Sequence, residues 1–291
     1  MPAVPRKDRS LTPWTEQTPW SRTTFSGLCG PGVIGMLHLG PLPGSPLWGG
    51  DLAAVTAAAL RDARSLREGG VRALMLENFQ DIPFHPGAVP PVTVAAVTAV
   101  AAAVRREAPD CALGINILRN DAEAALAVAV AVGAAFIRVN VHTGAAVTDQ
   151  GLLEGQAWRT LRQRREFGAA VGIIADIRVK HAAPLAPRPM ADEARDLRLR
   201  GLADALVVTG AATGAGADPA ELAALRLALP DCPLLVGSGV TTDNLGQFLP
   251  AADGFIVGTA LKEAGDVAAP VSAARVAAFT TRLAAARGSN S

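Results

Sequence analysis

Residues 136–142 read F-I-R-V-N-V-H and residues 173–181 read I-I-A-D-I-R-V-K-H, so polar side chains interrupt two otherwise apolar, β-branched runs at every second position. Successive side chains of a strand point to opposite faces. Arg138, Asn140 and His142 therefore share one face, and Asp176, Arg178 and Lys180 share one face of a second strand. A parallel strand covered by helices on both sides reads as unbroken apolar sequence, whereas charge along one face implies the polar interior or mouth of a barrel.

Outward from these two runs, short β-like segments recur at 33–37, 73–76, 113–118, 205–208, 233–236 and 254–257. Stretches with helical spacing lie between them and after the last, at 51–68, 92–108, 121–132, 154–168, 190–201, 218–228, 242–249 and 271–287. Asp121 and Asp218-Pro219 stand at helix starts, Gly69-Gly70 closes the first of these helices, and Pro230 follows another. Eight β-α units predict an α/β fold, a closed (β/α)8 TIM barrel of the phosphate-binding type; a doubly wound open sheet is the competing architecture. The barrel is expected to occupy 25–291 as one domain. Residues 1–24, rich in Pro, Thr, Ser and charge without apolar periodicity, are expected to form a mobile extension.

Hydrophobic residues make up 50% and charged residues 18% of the 291-residue chain, enough apolar material for a sizeable core and too little charge for disorder. Lys+Arg (27) balance Asp+Glu (26), so no overall field favours nucleic acid or an anionic bilayer, and anion recognition has to be local. Cys29, Cys111 and Cys232 are odd in number and far apart, which argues for reduced thiols rather than a disulfide framework or zinc site. The first residues lack an apolar signal core, and the Ala/Val-rich stretches are shorter than a bilayer span. A cytoplasmic protein is expected. Peripheral membrane association and homo-oligomer formation are both compatible with the composition.

The last two strands each run into a small-residue turn: L-L-V-G-S-G-V-T at 234–241 and G-F-I-V-G-T-A at 254–260. In a closed barrel these turns are neighbours. Gly237, Ser238 and Gly239 let backbone approach an oxyanion, while Gly258 and Thr259 add amides and a hydroxyl. This is the corner where TIM barrels bind phosphate. The Gly/Ala-rich stretch 207–218 follows the sixth strand, and Thr209, Gly210, Thr213 and Gly214 could extend the cradle or simply form a loop. Its G-x-x-x-G-x-G spacing does not match a dinucleotide fingerprint, and no cofactor is identified.

The remaining strand ends carry Glu77, Asn116, Arg138, Asn140, His142, Asp176, Lys180 and His181. Barrel enzymes place reactive groups at strand C-termini, so these are the candidate catalytic and substrate-binding residues. Asp176 with Lys180 or Arg178 offers an acid/base couple in which the cation keeps the carboxylate ionised; Lys180 could instead form a Schiff base or bind substrate oxygen. A satisfied salt-bridge network inside the barrel is the bland alternative. His38, His85, His142 and His181 lack metal-ligand spacing; a divalent ion on Glu77, Asp81 or Asp176 is a less favoured option. His38 opens a loop stiffened by three prolines at 34–46 and is a candidate substrate contact at the pocket rim.

The segments I-G-M-L-H-L-G-P-L-P-G-S-P, A-L-M-L-E-N-F-Q-D-I-P-F, G-I-N-I-L-R-N-D, F-I-R-V-N-V-H-T-G-A-A-V-T-D-Q-G, D-I-R-V-K-H-A, V-V-T-G-A-A-T-G and V-G-S-G-V-T-T-D-N follow one another in this order. From about Phe25 to Val271 the chain resembles the BtpA/SgcQ family, named partly for a photosystem I biogenesis protein of cyanobacteria. The resemblance implies a phosphate-binding (β/α)8 barrel. It also implies a link either to photosystem I accumulation at thylakoid membranes or to sugar-utilisation operons, without assigning a reaction. Two functions are therefore expected to compete: an isomerase or lyase acting on a small phosphorylated metabolite, such as a sugar phosphate or nucleotide-like compound, and a non-catalytic assembly factor that binds a membrane complex. The Ala- and Arg-heavy composition points to a GC-rich bacterium, so a photosystem role does not follow automatically.

Overall fold

A computed structural model of the chain describes residues 19–210 and 216–288; Thr213 and Gly214 lie outside the described residues, as do 1–18 of the expected extension. In chain order the elements are α1 (Arg22–Cys29), β1 (Val33–His38), α2 (Leu52–Glu68), β2 (Ala73–Glu77), α3 (Pro91–Glu107), β3 (Ala112–Asn116), α4 (Ala122–Val132) and β4 (Phe136–Val139). There follow β5 (Ala145–Thr148), β6 (Gly151–Glu154), α5 (Ala157–Glu166), β7 (Gly172–Asp176), β8 (Ala182–Pro184) and α6 (Met190–Arg195). The remainder is β9 (Ala205–Val208), α7 (Pro219–Ala228), β10 (Leu234–Val236), β11 (Gly254–Val257) and α8 (Ala273–Gly288). Eight parallel strands close into a barrel in the order β1-β11-β10-β9-β7-β4-β3-β2, and the open-sheet alternative falls away. Three short strands, β6-β5-β8, form a separate antiparallel sheet inserted after β4 and β7.

Local chemistry sets the helix starts. Asp51, Asp121 and Asp218 accept hydrogen bonds from the amides of Ala54, Ala124 and Ala220, satisfying donors that a first turn leaves open. Asp121 also accepts from the Val89 amide at 2.8 Å, tying the loop after β2 to the start of α4. The helix expected at 242–249 is reduced to a 3-10 turn, Leu245–Gln247, because Gly246 and Pro250 leave too short a run to propagate. The stretch expected to be helical at 190–201 continues α6 as a π turn, Asp196–Arg200.

Two apolar layers result. One packs the helices onto the outside of the barrel. The other fills its interior with Ile34, Met36, Met75, Phe136, Ile174 and Ile256, among others. Phe136 crosses the interior because Gly114 on the neighbouring strand leaves room: a Cβ there would sit 2.0 Å from the Phe136 ring. The N-terminal end of the barrel is plugged. Residues 19–24, expected to belong to the mobile extension, instead lead into α1, capped by Ser21, whose Phe25 and Cys29 are fully buried in the interior layer. Trp20 packs where a Cβ on Gly172 would meet its ring at 1.9 Å. Asp204 fastens this plug by accepting from the amides of Trp20 (3.2 Å) and Ile173 (2.7 Å) and from Arg164 (2.8 Å).

Candidate active site

Above the apolar layer, the strands end in polar side chains. Glu77 closes β2 in register with His38 of β1 and Asn116 of β3, so these three stand at one level of the barrel. Asn116 Nδ2 donates to Glu77 Oε2 at 2.5 Å. Burial pushes the Glu77 carboxyl above its ordinary pKa, against the opposing pull of Arg138 and Asn116. His38 Nε2 lies 3.9 Å from Glu77 Oε1, and the imidazole stacks on Phe79 with ring centroids 4.4 Å apart. Burial, reinforced by the charges of Lys262, Arg138 and Lys180, lowers the His38 pKa to about 3, so the ring is neutral.

Opposite charges meet on the other wall. Arg138 donates to Asp176 Oδ1 from Nη2 at 2.9 Å and from Nε at 3.2 Å, and to Oδ2 from Nη2 at 3.2 Å. Asn140 Nδ2 donates to Asp176 Oδ2 at 2.7 Å. Burial disfavours the guanidinium charge, but Asp176 and Glu77 outweigh it and hold Arg138 firmly protonated. Lys180, half-buried, moves the other way: burial and then the Arg138 charge lower its pKa.

These groups border a cavity of about 940 Å³ that opens at the C-terminal ends of the strands, with Glu77, Arg138, Asn140 and Lys180 on one part of its lining and the two glycine turns on another. Gly239 adopts φ +67°, a conformation that favours glycine. Asn244 clamps that turn, donating to the Gly239 carbonyl at 2.7 Å and accepting from the Thr241 amide at 2.8 Å. Gly258 abuts His38, since a Cβ there would lie 2.7 Å from the imidazole Cε1. Among the described residues, the amides of Ser238, Gly239 and Thr259 have no backbone acceptor.

The expected residues divide. His38, Glu77, Arg138, Asn140, Lys180 and His181 line the cavity, as do Gly237, Ser238, Gly239, Gly258 and Thr259. Asn116 is not in the lining and donates to Glu77 from beside it. Asp176 is completely buried beneath Arg138 and Asn140, so the expected Asp176–Lys180 proton-transfer couple is corrected: the carboxylate is a structural anchor for its neighbours. His142 is also displaced from the expected site. The strand ends at Val139, the alternation stops with it, and His142 is buried away from the cavity lining with Nε2 2.9 Å from the Gly201 carbonyl. Arg178 leaves the shared face to pair with Glu193 at 2.9 Å. Thr209 donates its hydroxyl to the Arg178 carbonyl at 2.7 Å instead of contributing to the cavity lining. Asp81 accepts from the Leu42 amide and from Asn78. Among the described residues no group of three or more His, Cys, Asp or Glu side chains is placed to hold a metal.

The sequence reading missed Phe79, Phe84, Arg119, Asp149 and Arg275, all of which line the cavity. Asp149 arrives on the turn between β5 and β6, and Arg119 reaches the backbone carbonyl of Lys180 at 2.5 Å. The D-Q-G turn at 149–151, flanked by A-A-V-T and L-L-E, was a readable hairpin signal for the first.

The BtpA family model matches residues 30–285 of this chain. The chain belongs to the BtpA family. It is 44% identical over 254 residues to the photosystem I biogenesis protein BtpA of Synechocystis, covering 87% of this chain and 88% of that protein. An uncharacterised protein of Thermococcus kodakarensis is 47% identical over 243 residues, 84% of this chain and 91% of the relative. Solved barrels superpose at lower identity. Phosphoribosyl anthranilate isomerase from Thermus thermophilus gives a TM-score of 0.52 at 16% identity, over 87% of this chain and 98% of that one. The 3-keto-L-gulonate-6-phosphate decarboxylase of Vibrio cholerae gives 0.54 at 13%, over 88% and 98%. At these identities the likeness establishes the TIM-barrel fold of this BtpA-family member. None of its helices, among the described residues, is long and apolar enough to cross a membrane.

Proposed function

We propose that this BtpA-family barrel is an isomerase or lyase acting on a small phosphorylated metabolite. One observation carries the reading: Glu77, whose pKa is raised, and Lys180, whose pKa is lowered, border the same cavity as the paired glycine turns. An acid and a base drawn toward neutrality are suited to move a proton between carbon and oxygen next to a carbonyl. In this scheme the phosphate docks on the amides of Ser238, Gly239 and Thr259, and the reacting end lies over Glu77 and Lys180. Arg138, fixed by Asp176, offers its charge to the enolate that forms when the proton leaves carbon. Isomerisation and carbon–carbon cleavage share that enolate, which is why both classes stay in the proposal. The two solved barrels named above for phosphorylated substrates support the phosphate assignment by analogy of fold.

The test is a thermal-shift screen of phosphorylated metabolites followed by turnover assays on the hits. Glu77→Gln is expected to abolish turnover while keeping phosphate affinity, and Gly239→Asp to abolish phosphate affinity. Equal loss of both properties in both variants would overturn these roles. The identity to the Synechocystis photosystem I biogenesis protein supports a second reading, a non-catalytic factor that binds a membrane complex. That reading requires the protein to co-sediment with host membranes and Glu77→Gln to leave its cellular role intact.

A further inference from the structure

Asn140 carries a buried polar atom with no partner. The residue is 4% exposed and lines the cavity, and its Nδ2 is committed to Asp176 Oδ2 at 2.7 Å. The Asp176 carboxylate already holds Arg138 through both oxygens, and an ionised carboxylate can only accept. The amide therefore cannot turn over without setting Oδ1 against a negative oxygen. Its orientation is locked, and Asn140 Oδ1 is left without a hydrogen bond. A second orphan belongs to another residue of the same lining: Nδ1 of the neutral His38 ring is buried and unpartnered. Buried polar atoms left unpaired cost free energy, and two of them on residues that line one cavity point to a ligand that completes them.

We propose that Asn140 Oδ1 accepts a hydrogen bond from a neutral hydroxyl of the substrate, and that Asp176 is the positioning residue that makes this atom an acceptor. The inference rests on the phosphate-dependent reading above and narrows its substrate class to hydroxylated phosphate esters, sugar or polyol phosphates. The donor is a hydroxyl rather than an ammonium because Arg138 and Lys180 already border the cavity and repel a further cation. Asp176→Asn releases the lock. The new side-chain amide can donate to Asn140 Oδ1, Asn140 turns over, and the atom offered to the ligand changes from acceptor to donor.

The experiment compares three probes by titration calorimetry: inorganic phosphate, n-propyl phosphate and glycerol 3-phosphate, the last two alike in length and differing in hydroxyls. Wild-type protein is expected to bind glycerol 3-phosphate roughly tenfold or more tighter than n-propyl phosphate. Asp176→Asn is expected to keep its affinity for inorganic phosphate and to lose that preference. Asn140→Leu, which removes the acceptor together with one donor to Asp176 Oδ2 but keeps the Arg138–Asp176 contacts, is expected to lose it too and serves if Asp176→Asn does not fold. Equal wild-type affinity for the two esters, or an undiminished preference in the folded variants, overturns the hydroxyl assignment while the phosphate site stands. Absence of any binding by inorganic phosphate and by both esters overturns the phosphate site and this inference with it.

Discussion

Arg138 Nη2 spans both carboxylate oxygens of Asp176, at 2.9 and 3.2 Å, with the carboxylate side chain wholly out of solvent. Asp176 has no water to turn to and depends on Arg138, which itself reaches the cavity. Arg138→Met leaves Asp176 buried and uncompensated and is expected to cost about 3–5 kcal/mol of stability. The double variant Arg138→Met with Asp176→Leu is expected to lose less than the single one. Urea unfolding of the four members of the cycle checks both statements, and strict additivity would contradict them.

His38 and Glu77 give the protein opposite pH responses in overlapping windows. An unfolded His38 takes up a proton below its ordinary pKa of 6.5, whereas the folded one resists until about pH 3. Its contribution is therefore whole above pH 6.5 and falls as the pH drops toward 3. Glu77 has its folded pKa raised above the ordinary 4.5, so its contribution is whole below pH 4.5 and falls as the pH rises through the folded value. Denaturation midpoints measured across pH should show less acid-side loss in His38→Gln. Glu77→Gln should gain stability relative to wild type as the pH climbs above 4.5.

Gly114 and Phe136 are closely packed in the barrel interior. A methyl group at 114 falls 2.0 Å from a ring carbon that is fully buried, so Gly114→Ala is expected to cost about 1–3 kcal/mol by overpacking. Shortening the ring with Phe136→Leu in the same chain is expected to recover part of the loss, as read by thermal unfolding.

Asp204 serves three donors at the closed end of the barrel. Asp204→Ala strands the Arg164 guanidinium and two amides, for an expected loss of about 3 kcal/mol or more. Quenching of Trp20 fluorescence by acrylamide should rise, because the plug around α1 is loosened.

The barrel strands were legible because each is short, apolar and bounded by Gly, Pro or Asp, and a period of two survives for as long as the strand does. That rule also explains where the site was misread. Arg138 lies inside β4 and Asn140 just past it, so both point as alternation requires; His142 lies beyond the turn and does not. Asp176 was correctly placed on the inner face, but sequence cannot tell whether an inward carboxylate meets ligand or a neighbouring guanidinium. Glu77 owes its raised pKa to burial between strands distant in the chain, which no local pattern carries. The α1 plug was missed although Ser21 followed by Phe25 and Cys29 has the cap and the i, i+4 apolar spacing of a helix.

With Trp20, Phe25 and Cys29 stopping one end, the barrel is, among the described residues, a well that opens at the other. Whatever goes in has to come back out past the same rim before a successor can enter. On the proposed reaction, a product that keeps its phosphate competes with fresh substrate at every cycle, and the rate of its departure sets a ceiling that no improvement at the bottom of the well can lift.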